Sequence, residues 1–225
     1  MRGRVKPGRV KFASAVAAAA LAAALATGAA MAQTAAGRKP AASASAAAPA
    51  KVDYAARFAT LCAACHGANG RSEMALTPTL AGQPSFYAIS QLFLFREGRR
   101  DNPAMAAVAK GMSDDDLRGF SELIGKLPAL PPPAGAGGDA ARMARGAAVA
   151  QNHRCASCHG SDYAGGAQVA RLAHQREDYL QQTLKGFRAG TRVGYTPAMN
   201  EALAGLDAAQ LDEVAHFLAH LPARP

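Results

Sequence analysis

The chain has 225 residues and a formal net charge of +9, a basic balance typical of proteins that bind nucleic acids or anionic membranes. However, five of its 25 Lys and Arg residues, and none of its 16 Asp and Glu residues, lie in the first 32 positions. The rest of the chain has a net charge of only +4 and no basic cluster, so composition excludes both classes of partner.

The N-terminal segment 1–32 has the pattern of a secretory signal peptide. A basic stretch that ends at Lys11 precedes an alanine-dominated apolar run, and Ala30-Met31-Ala32 fits the small-x-small cleavage pattern. The alternative, an uncleaved anchor, is disfavoured because the run contains few leucines and no isoleucine. We therefore expect export and cleavage near Ala32. Residues 33–50 are rich in Ala, Ser and Pro, which predicts a disordered spacer.

The first predicted domain, 51–128, is helical. Asp53 is placed to cap its first helix, and Ser85–Glu97, which Gly98 ends, is a candidate for a second. Ser113-x-x-Asp116 resembles a capping box in front of a third helix, which Pro128 ends.

A Pro/Gly-rich stretch, 129–138, predicts a linker, and a second helical domain, 139–225, follows it. Asp139 is placed to cap its first helix, Glu177–Arg188 forms the second, and Asp207-x-x-Gln210 resembles another capping box. The predicted fold class is all-α, with two tandem domains.

The two domains are copies of one another. Their offset is 93 residues at the cysteines, 92 in the middle and 94 near the end, too long for a solenoid repeat of 20–50 residues. The matched segments are Leu80-Ala81-Gly82-Gln83 with Leu172-Ala173-His174-Gln175, Tyr87 with Tyr179, Phe95-Arg96 with Phe187-Arg188, and Pro103-Ala104-Met105 with Pro197-Ala198-Met199. This pattern indicates domain duplication.

All four cysteines lie in two C-x-x-C-H runs, which have the spacing for covalent attachment of c-type haem. We predict that the thiols bond to the porphyrin and that the histidine after each pair is the proximal iron ligand. The predicted attachment residues are Cys62, Cys65, Cys155 and Cys158, and the predicted proximal ligands are His66 and His159. Two haem c groups are therefore the expected cofactors.

Three other interpretations fit these cysteines less well. A four-thiolate zinc site usually places its pairs about 15–20 residues apart, whereas these lie 93 apart. A thioredoxin-like redox pair requires a neighbouring βαβ unit, and neither run lies in a strand-rich pattern. A disulfide within C-x-x-C closes a short loop and stabilises little.

The sixth iron ligand decides the chemistry, since an empty position binds oxygen or peroxide and a methionine makes an electron carrier of high potential. Met105 and Met199 are the candidates, because each follows Pro-Ala, 40 and 41 residues beyond the second cysteine of its motif. We expect a Pro-bearing loop to hold each of them opposite the histidine. The unmatched methionines are interpreted as core filler, with the first two also as fallback ligands: Met74, Met112 and Met143.

Other polar residues carry weaker signals. His216 and His220 are spaced i, i+4 and could form a metal pair, although residues of an ordinary polar face are the simpler interpretation. His174, which replaces Gly82, could be an alternative ligand or a propionate neighbour. The arginine group 96–100 is interpreted as a solvated helix end or as partners of haem propionates.

With these motifs in this order, the chain resembles the dihaem class I cytochromes c, and specifically the cytochrome c4 family, over about residues 51–225. The resemblance implies two class I cytochrome c domains, haems near a shared interface, and periplasmic electron shuttling. It also implies that a proline carbonyl accepts the Nδ1–H of the proximal histidine. Pro78 fits that place in the first domain, and Ala170 stands there in the second, which leaves the second contact open.

The predicted function is outer-sphere electron transfer from a quinol-oxidising complex or a dehydrogenase to a terminal oxidase or another acceptor. We expect unequal haem potentials because Gly82 becomes His174 and Pro78 becomes Ala170. The alternatives are a dihaem peroxidase, a thiosulfate-oxidising haem enzyme and a cytochrome subunit of a larger oxidoreductase. The expected partners are redox proteins and not nucleic acids, with peripheral membrane association as a further expectation.

Overall fold

The computed structural model describes residues 52–132, 137–192 and 196–222. The predicted signal peptide and spacer lie outside the described residues, as does the middle of the predicted linker. Within the described ranges the chain is helical, and its only extended pairing is one isolated antiparallel bridge between Gly166 and Val169. The predicted all-α class is confirmed.

Ten helices are described, five on each side of the linker. In chain order they are α1 (Tyr54–Leu61), α2 (Ala63–His66), α3 (Ser85–Arg96), α4 (Pro103–Ala109), α5 (Asp114–Lys126), α6 (Ala140–Asn152), α7 (Ala156–His159), α8 (Glu177–Arg188), α9 (Ala198–Leu203) and α10 (Ala208–Ala219). We call residues 52–132 the first lobe and residues 137–222 the second lobe.

The predicted helix starts are confirmed by their caps. The Asp53 carboxylate accepts hydrogen bonds from the first backbone N–H groups of α1, and Asp139 does the same for α6. Both predicted capping boxes form. The side chains of Ser113 and Asp207 each accept a hydrogen bond from the backbone N–H of the third helical residue, and the side chain of that residue accepts one from the backbone N–H of the capping residue. Such caps satisfy backbone donors that a helix leaves unpaired at its start.

Each lobe has its own apolar core, as two domains require. The buried residues of the first core are Phe58, Ala88, Leu92, Phe95, Ala109, Met112, Leu117, Phe120 and Ile124. Those of the second are Ala150, Leu180, Leu184, Leu203, Leu206, Leu211, Val214, Ala215, Leu218 and Ala219. The last helix of each lobe, α5 or α10, supplies much of that lobe's core.

The first and last helices of the second lobe approach one another very closely, at a glycine. A Cβ on Gly146 of α6 would lie 2.2 Å from the Glu213 carbonyl oxygen and 2.5 Å from the Phe217 Cβ, both on α10. The first lobe places its small residue on the last helix instead, where Gly119 of α5 faces the Tyr54 ring of α1. The glycine in each pair therefore sets the distance between the two helices.

We predict that Gly146→Ala destabilises the protein by about 1–3 kcal/mol, because the methyl group must push α6 away from α10. The control is Gly205→Ala, since no heavy atom among the described residues lies within 4 Å of a Cβ at that position. Guanidinium unfolding of the haem-loaded protein measures both. Equal stability of the two variants would contradict the assigned contact.

An ion pair fastens α1 to α5 in the first lobe. Arg57 donates to the Asp116 carboxylate, and its guanidinium also lies 5.0 Å from the centre of the Phe120 ring. The Arg57 hydrogen bond, together with those from Ser113, lowers the pKa of Asp116 from 3.8 to about 2. The carboxylate is therefore charged throughout the physiological range.

We predict that Asp116→Asn lowers the unfolding temperature above about pH 4 and not below about pH 2. The folded pKa lies below the unfolded value of 3.8, so the stabilisation is present above 3.8 and is lost as the pH falls through about 2. Thermal unfolding at a series of pH values measures the difference. The control is Asp115→Asn, whose exposed pair with Arg118 contributes little. A constant difference at every pH would refute this account.

Candidate haem sites and the contact between the lobes

Each C-x-x-C-H run folds as one short turn of helix, α2 in the first lobe and α7 in the second. The first cysteine of each run is half-buried, the second is exposed, and the histidine is buried. A glycine with φ near 80° ends each turn, in the left-handed region that suits glycine. All four thiols are free, and each run keeps its second cysteine at the surface and its histidine in the interior.

Each motif histidine is oriented by a loop carbonyl. The Nδ1–H of His66 donates to the Pro78 oxygen at 2.8 Å, and that of His159 donates to the Ala170 oxygen, also at 2.8 Å. The second contact, which the sequence left open, is therefore made, because only the backbone of residue 170 takes part. In both lobes Nε2 is the nitrogen that remains for a metal.

Burial favours the neutral forms of the motif histidines and of the first cysteine in each run. Loss of solvent lowers the pKa of both His66 and His159, although the backbone hydrogen bond opposes the shift. Burial raises the pKa of the Cys62 thiol to about 11, and it also raises the pKa of Cys155. A neutral imidazole is the form that binds iron, so each histidine is in its ligand state near neutral pH.

The two candidate methionines occupy matching places. Met105 is half-buried against the core of the first lobe, to which Cys62 also packs, and Met199 and Cys155 pack in the same way against the second core. The expected Pro-bearing loop is wrong, because Met105 lies in α4 and Met199 lies in α9. Proline favours the first turn of a helix, so Pro103 starts α4 where the sequence suggested a loop.

The interpretation of the three unmatched methionines as core filler is correct for Met112 and wrong for Met74, and Met143 is half-buried. Met112 is buried in the core of the first lobe, as core filler should be. Met74 is about half exposed, so that interpretation is wrong for it. Its neighbour Leu76 is exposed as well and donates its backbone N–H to Asp178 of the other lobe, which makes this loop part of the contact between the lobes.

The donor groups in each lobe fit a covalent haem. Two free thiols can attach the porphyrin, while a buried neutral imidazole with one nitrogen engaged and a thioether on the same core are the nitrogen and sulfur ligands that haem iron takes. None of the four cysteines forms a disulfide. The described residues also gather no group of three or more cysteine or histidine ligands at these runs.

Hydrogen bonds join the lobes along a seam that sequence reasoning missed. The Gln83 side chain forms hydrogen bonds with both the backbone N–H and the backbone C=O of Arg171. The Gln175 side chain forms the same two hydrogen bonds with the backbone of Thr79. Arg176 also donates to the Ser72 carbonyl. Gln83 and Gln175 are both buried and stand at matching positions of the repeat. That repetition was the one signal in the sequence that could have singled them out.

A second part of the seam gathers arginine and tyrosine. Arg100 donates to the Tyr179 hydroxyl at 2.8 Å and to Gln91 at 2.7 Å, and Arg192 donates to Thr183 at 3.1 Å. Burial by itself raises the pKa of Tyr179, but the guanidinium groups of Arg100 and Arg192 outweigh it and lower the pKa to about 7. Arg100 is therefore a contact between the lobes, whereas Arg96 pairs with Asp114 at the end of α3.

The extra histidines of the second lobe form structural contacts. Glu177 accepts from His216 Nδ1 at 3.0 Å and from His220 Nε2 at 3.1 Å, while His216 Nε2 accepts the backbone N–H of Asp139. His216 is buried, so its interpretation as a polar-face residue is wrong. The Asp139 contact places the His216 proton on Nδ1, which leaves no lone pair there for a metal.

His174 is likewise engaged within the fold. Its Nε2 donates to the Leu221 carbonyl at 2.9 Å, and its backbone has φ of 59°, in the left-handed region that Gly82 occupies in the other lobe. A side chain in that region costs on the order of 1 kcal/mol. The replacement of glycine by histidine therefore fastens the end of the chain rather than supplying an obvious ligand.

Comparisons with known proteins identify the class. The sequence profile of the family described as cytochrome c matches residues 54–125 and again 143–222, one match in each lobe. The chain belongs to the cytochrome c family and, within it, to the dihaem cytochromes of the cytochrome c4 type.

Two relatives support this assignment, and one solved structure shares the fold. The thiosulfate dehydrogenase electron acceptor of Thiomonas intermedia (strain K12) is 33% identical over 79% of this chain and 86% of its own. Cytochrome c4 of Thiocapsa roseopersicina is 32% identical over 70% of this chain and 85% of its own. The crystal structure of reduced cytochrome c4 from Pseudomonas stutzeri superposes with a TM-score of 0.68 at 24% identity, over 74% of this chain and 96% of that one.

Family membership settles the cofactor and the broad activity. The protein carries two covalently attached haem c groups, one in each lobe, and is a c-type electron carrier rather than an enzyme. No helix within the described ranges is long and apolar enough to cross a bilayer.

Proposed function

We propose that this protein is a periplasmic electron carrier with two His/Met haem sites, which passes electrons between redox proteins by outer-sphere transfer. The residues that attach the haems are Cys62, Cys65, Cys155 and Cys158. The residues that bind the irons are His66 and Met105 in the first lobe and His159 and Met199 in the second. The periplasmic location rests on the predicted signal peptide, whose cleavage we propose near Ala32.

One observation carries the ligand assignment. In each lobe, a buried histidine with Nδ1 held by a carbonyl shares its core with a half-buried methionine and the first cysteine. When bound, the haem supplies the reversible iron couple. The chain's own residues fix the imidazole, keep water from the core and offer a soft sulfur that favours the reduced iron.

The methionine assignments are tested by the far-red absorption band that marks methionine on ferric haem iron. We predict that Met105→Leu and Met199→Leu each remove about half of this band, since each lobe contributes one such ligand. The control is Met112→Leu, because this buried methionine is proposed to be core filler. A full band in Met199→Leu would show that the second site has another ligand, and the enzyme interpretation would then return for that haem.

The donor is the finer part of the proposal. The similarity to an electron acceptor of thiosulfate dehydrogenase favours a dehydrogenase of that kind as donor, with a quinol-oxidising complex as the second candidate. A terminal oxidase or a comparable acceptor would take the electrons onward. No bond to substrate forms in either step, because the protein only relays electrons.

Exposed apolar side chains indicate where partners dock. The large hydrophobic residues that are most exposed among the described ones all belong to the first lobe: Val52, Leu61, Met74, Leu76, Phe86 and Val108. Large apolar side chains that remain exposed are groups that a partner protein can cover. We therefore propose that redox partners contact the first lobe, near the attachment site that follows Leu61.

We predict that Leu61→Glu slows reduction by thiosulfate dehydrogenase with thiosulfate several-fold, because a charge replaces an apolar contact at the docking surface. Reduction by dithionite, which needs no docking, should be unchanged. Gln182→Glu, an exposed site on α8 of the second lobe, is the control. Stopped-flow mixing measures the rates. If the wild-type protein is reduced only by the quinol-oxidising complex, the second candidate donor is correct.

A further inference from the structure

The peptide group that holds each motif histidine is itself held from the other lobe. The Pro78 carbonyl that accepts the His66 proton belongs to the same peptide unit as the Thr79 N–H. That N–H donates to the Gln175 Oε1 atom at 2.7 Å, across the seam. A chain of two hydrogen bonds and one amide thus connects a histidine of the first lobe to a glutamine of the second.

The second lobe has the same chain in the opposite direction. His159 donates to the Ala170 carbonyl, and the N–H of the same peptide unit, which belongs to Arg171, donates to Gln83 Oε1 at 3.1 Å. Gln83 belongs to the first lobe. The two chains are therefore related by the repeat, and each one crosses the seam.

The geometry fixes the orientation of both amides. Gln175 Nε2 donates to the Thr79 carbonyl at 2.8 Å, and Gln83 Nε2 donates to the Arg171 carbonyl at 2.9 Å. A flipped amide would place donor against donor and acceptor against acceptor, so the oxygen must face the backbone N–H. Each glutamine is thereby locked on one residue of the other lobe by two bonds.

Both glutamines are shielded from water. Gln83 is 6% exposed and Gln175 is 5% exposed. The cavity that they help to line at the seam has a volume of about 10 Å³, room for no more than one water molecule. Hydrogen bonds in such a low-dielectric setting are stronger than in water and polarise one another along a chain.

We propose that Gln83 and Gln175 are positioning residues that tune the haem of the opposite lobe, each through the peptide group that orients the other lobe's histidine. An acceptor on the N–H polarises the amide, so its carbonyl accepts the imidazole proton more strongly. The imidazole becomes a more basic ligand, which stabilises ferric over ferrous iron and lowers the potential. The inference rests on the proposed ligation by His66 and His159.

The test uses Gln83→Leu and Gln175→Leu in the haem-loaded protein, with the potential of each haem followed by NMR during a redox titration. Gln83→Leu should raise the potential of the haem at Cys155 and Cys158, and Gln175→Leu that of the haem at Cys62 and Cys65. The equilibrium constant for electron transfer from one haem to the other should change about threefold, in opposite directions for the two variants. A threefold change corresponds to a change of ~28 mV in the difference between the two potentials, at 59 mV per tenfold change.

The Nδ1–H proton resonance of each histidine gives a second readout that does not depend on electron transfer. It should move to lower shift for His159 in the Gln83 variant and for His66 in the Gln175 variant, since a weaker hydrogen bond shields the proton. The control is Gln182→Leu, an exposed glutamine on α8, which should change neither haem. If a leucine variant does not fold, Gln83→Asn and Gln175→Asn keep the amide but withdraw it from the N–H.

Three results would overturn the inference. The first is a change in potential confined to the haem of the lobe that carries the substitution. The second is an equal change in the potentials of both haems, as a loosened seam would give, and the third is no change in either potential. Failure of the underlying ligand assignment would look different, because the wild-type protein itself would then lack the spectrum of two His/Met haems.

Discussion

The hydrogen bond from each motif histidine to a loop carbonyl is the contact on which the rest of the molecule depends. It joins α2 to the loop at Pro78 and α7 to the loop at Ala170, and it is 2.8 Å long in both lobes. These loops in turn form the seam, since Thr79 and Arg171 follow directly and bond the opposite lobe. The same peptide groups therefore orient the iron ligand through their carbonyl and contact the other lobe through their N–H.

The small size of each lobe explains why this contact matters. A domain of about 80 residues buries a limited apolar area and usually needs further support. A covalent haem adds a large apolar surface to each core, and the seam adds buried hydrogen bonds between the lobes. The close approach at Gly146 and the ion pair of Arg57 with Asp116 then fasten the terminal helices around each core. The parts thus support one another within a fold that neither core would stabilise well alone.

The sequence was sufficient for features that depend on neighbouring residues. Capping by Ser113 and Asp207, the helices α3 and α8, and the duplicated cysteine motifs could all be predicted because their patterns are complete within a few residues. Predictions failed where burial decides. His216 is buried and Met74 is exposed, and neither follows from local spacing.

The sequence by itself determined the two haem-attachment motifs, the duplication and the helical class, since each is written in residue types and intervals along one stretch of chain. Only the tertiary structure decided that Ala170 serves as well as Pro78, because a backbone carbonyl carries no side-chain signature. It alone paired Gln83 with Arg171 and Gln175 with Thr79, partners 88 and 96 residues apart. Such pairs depend on how two folded lobes meet, and that geometry arises only after each core has formed.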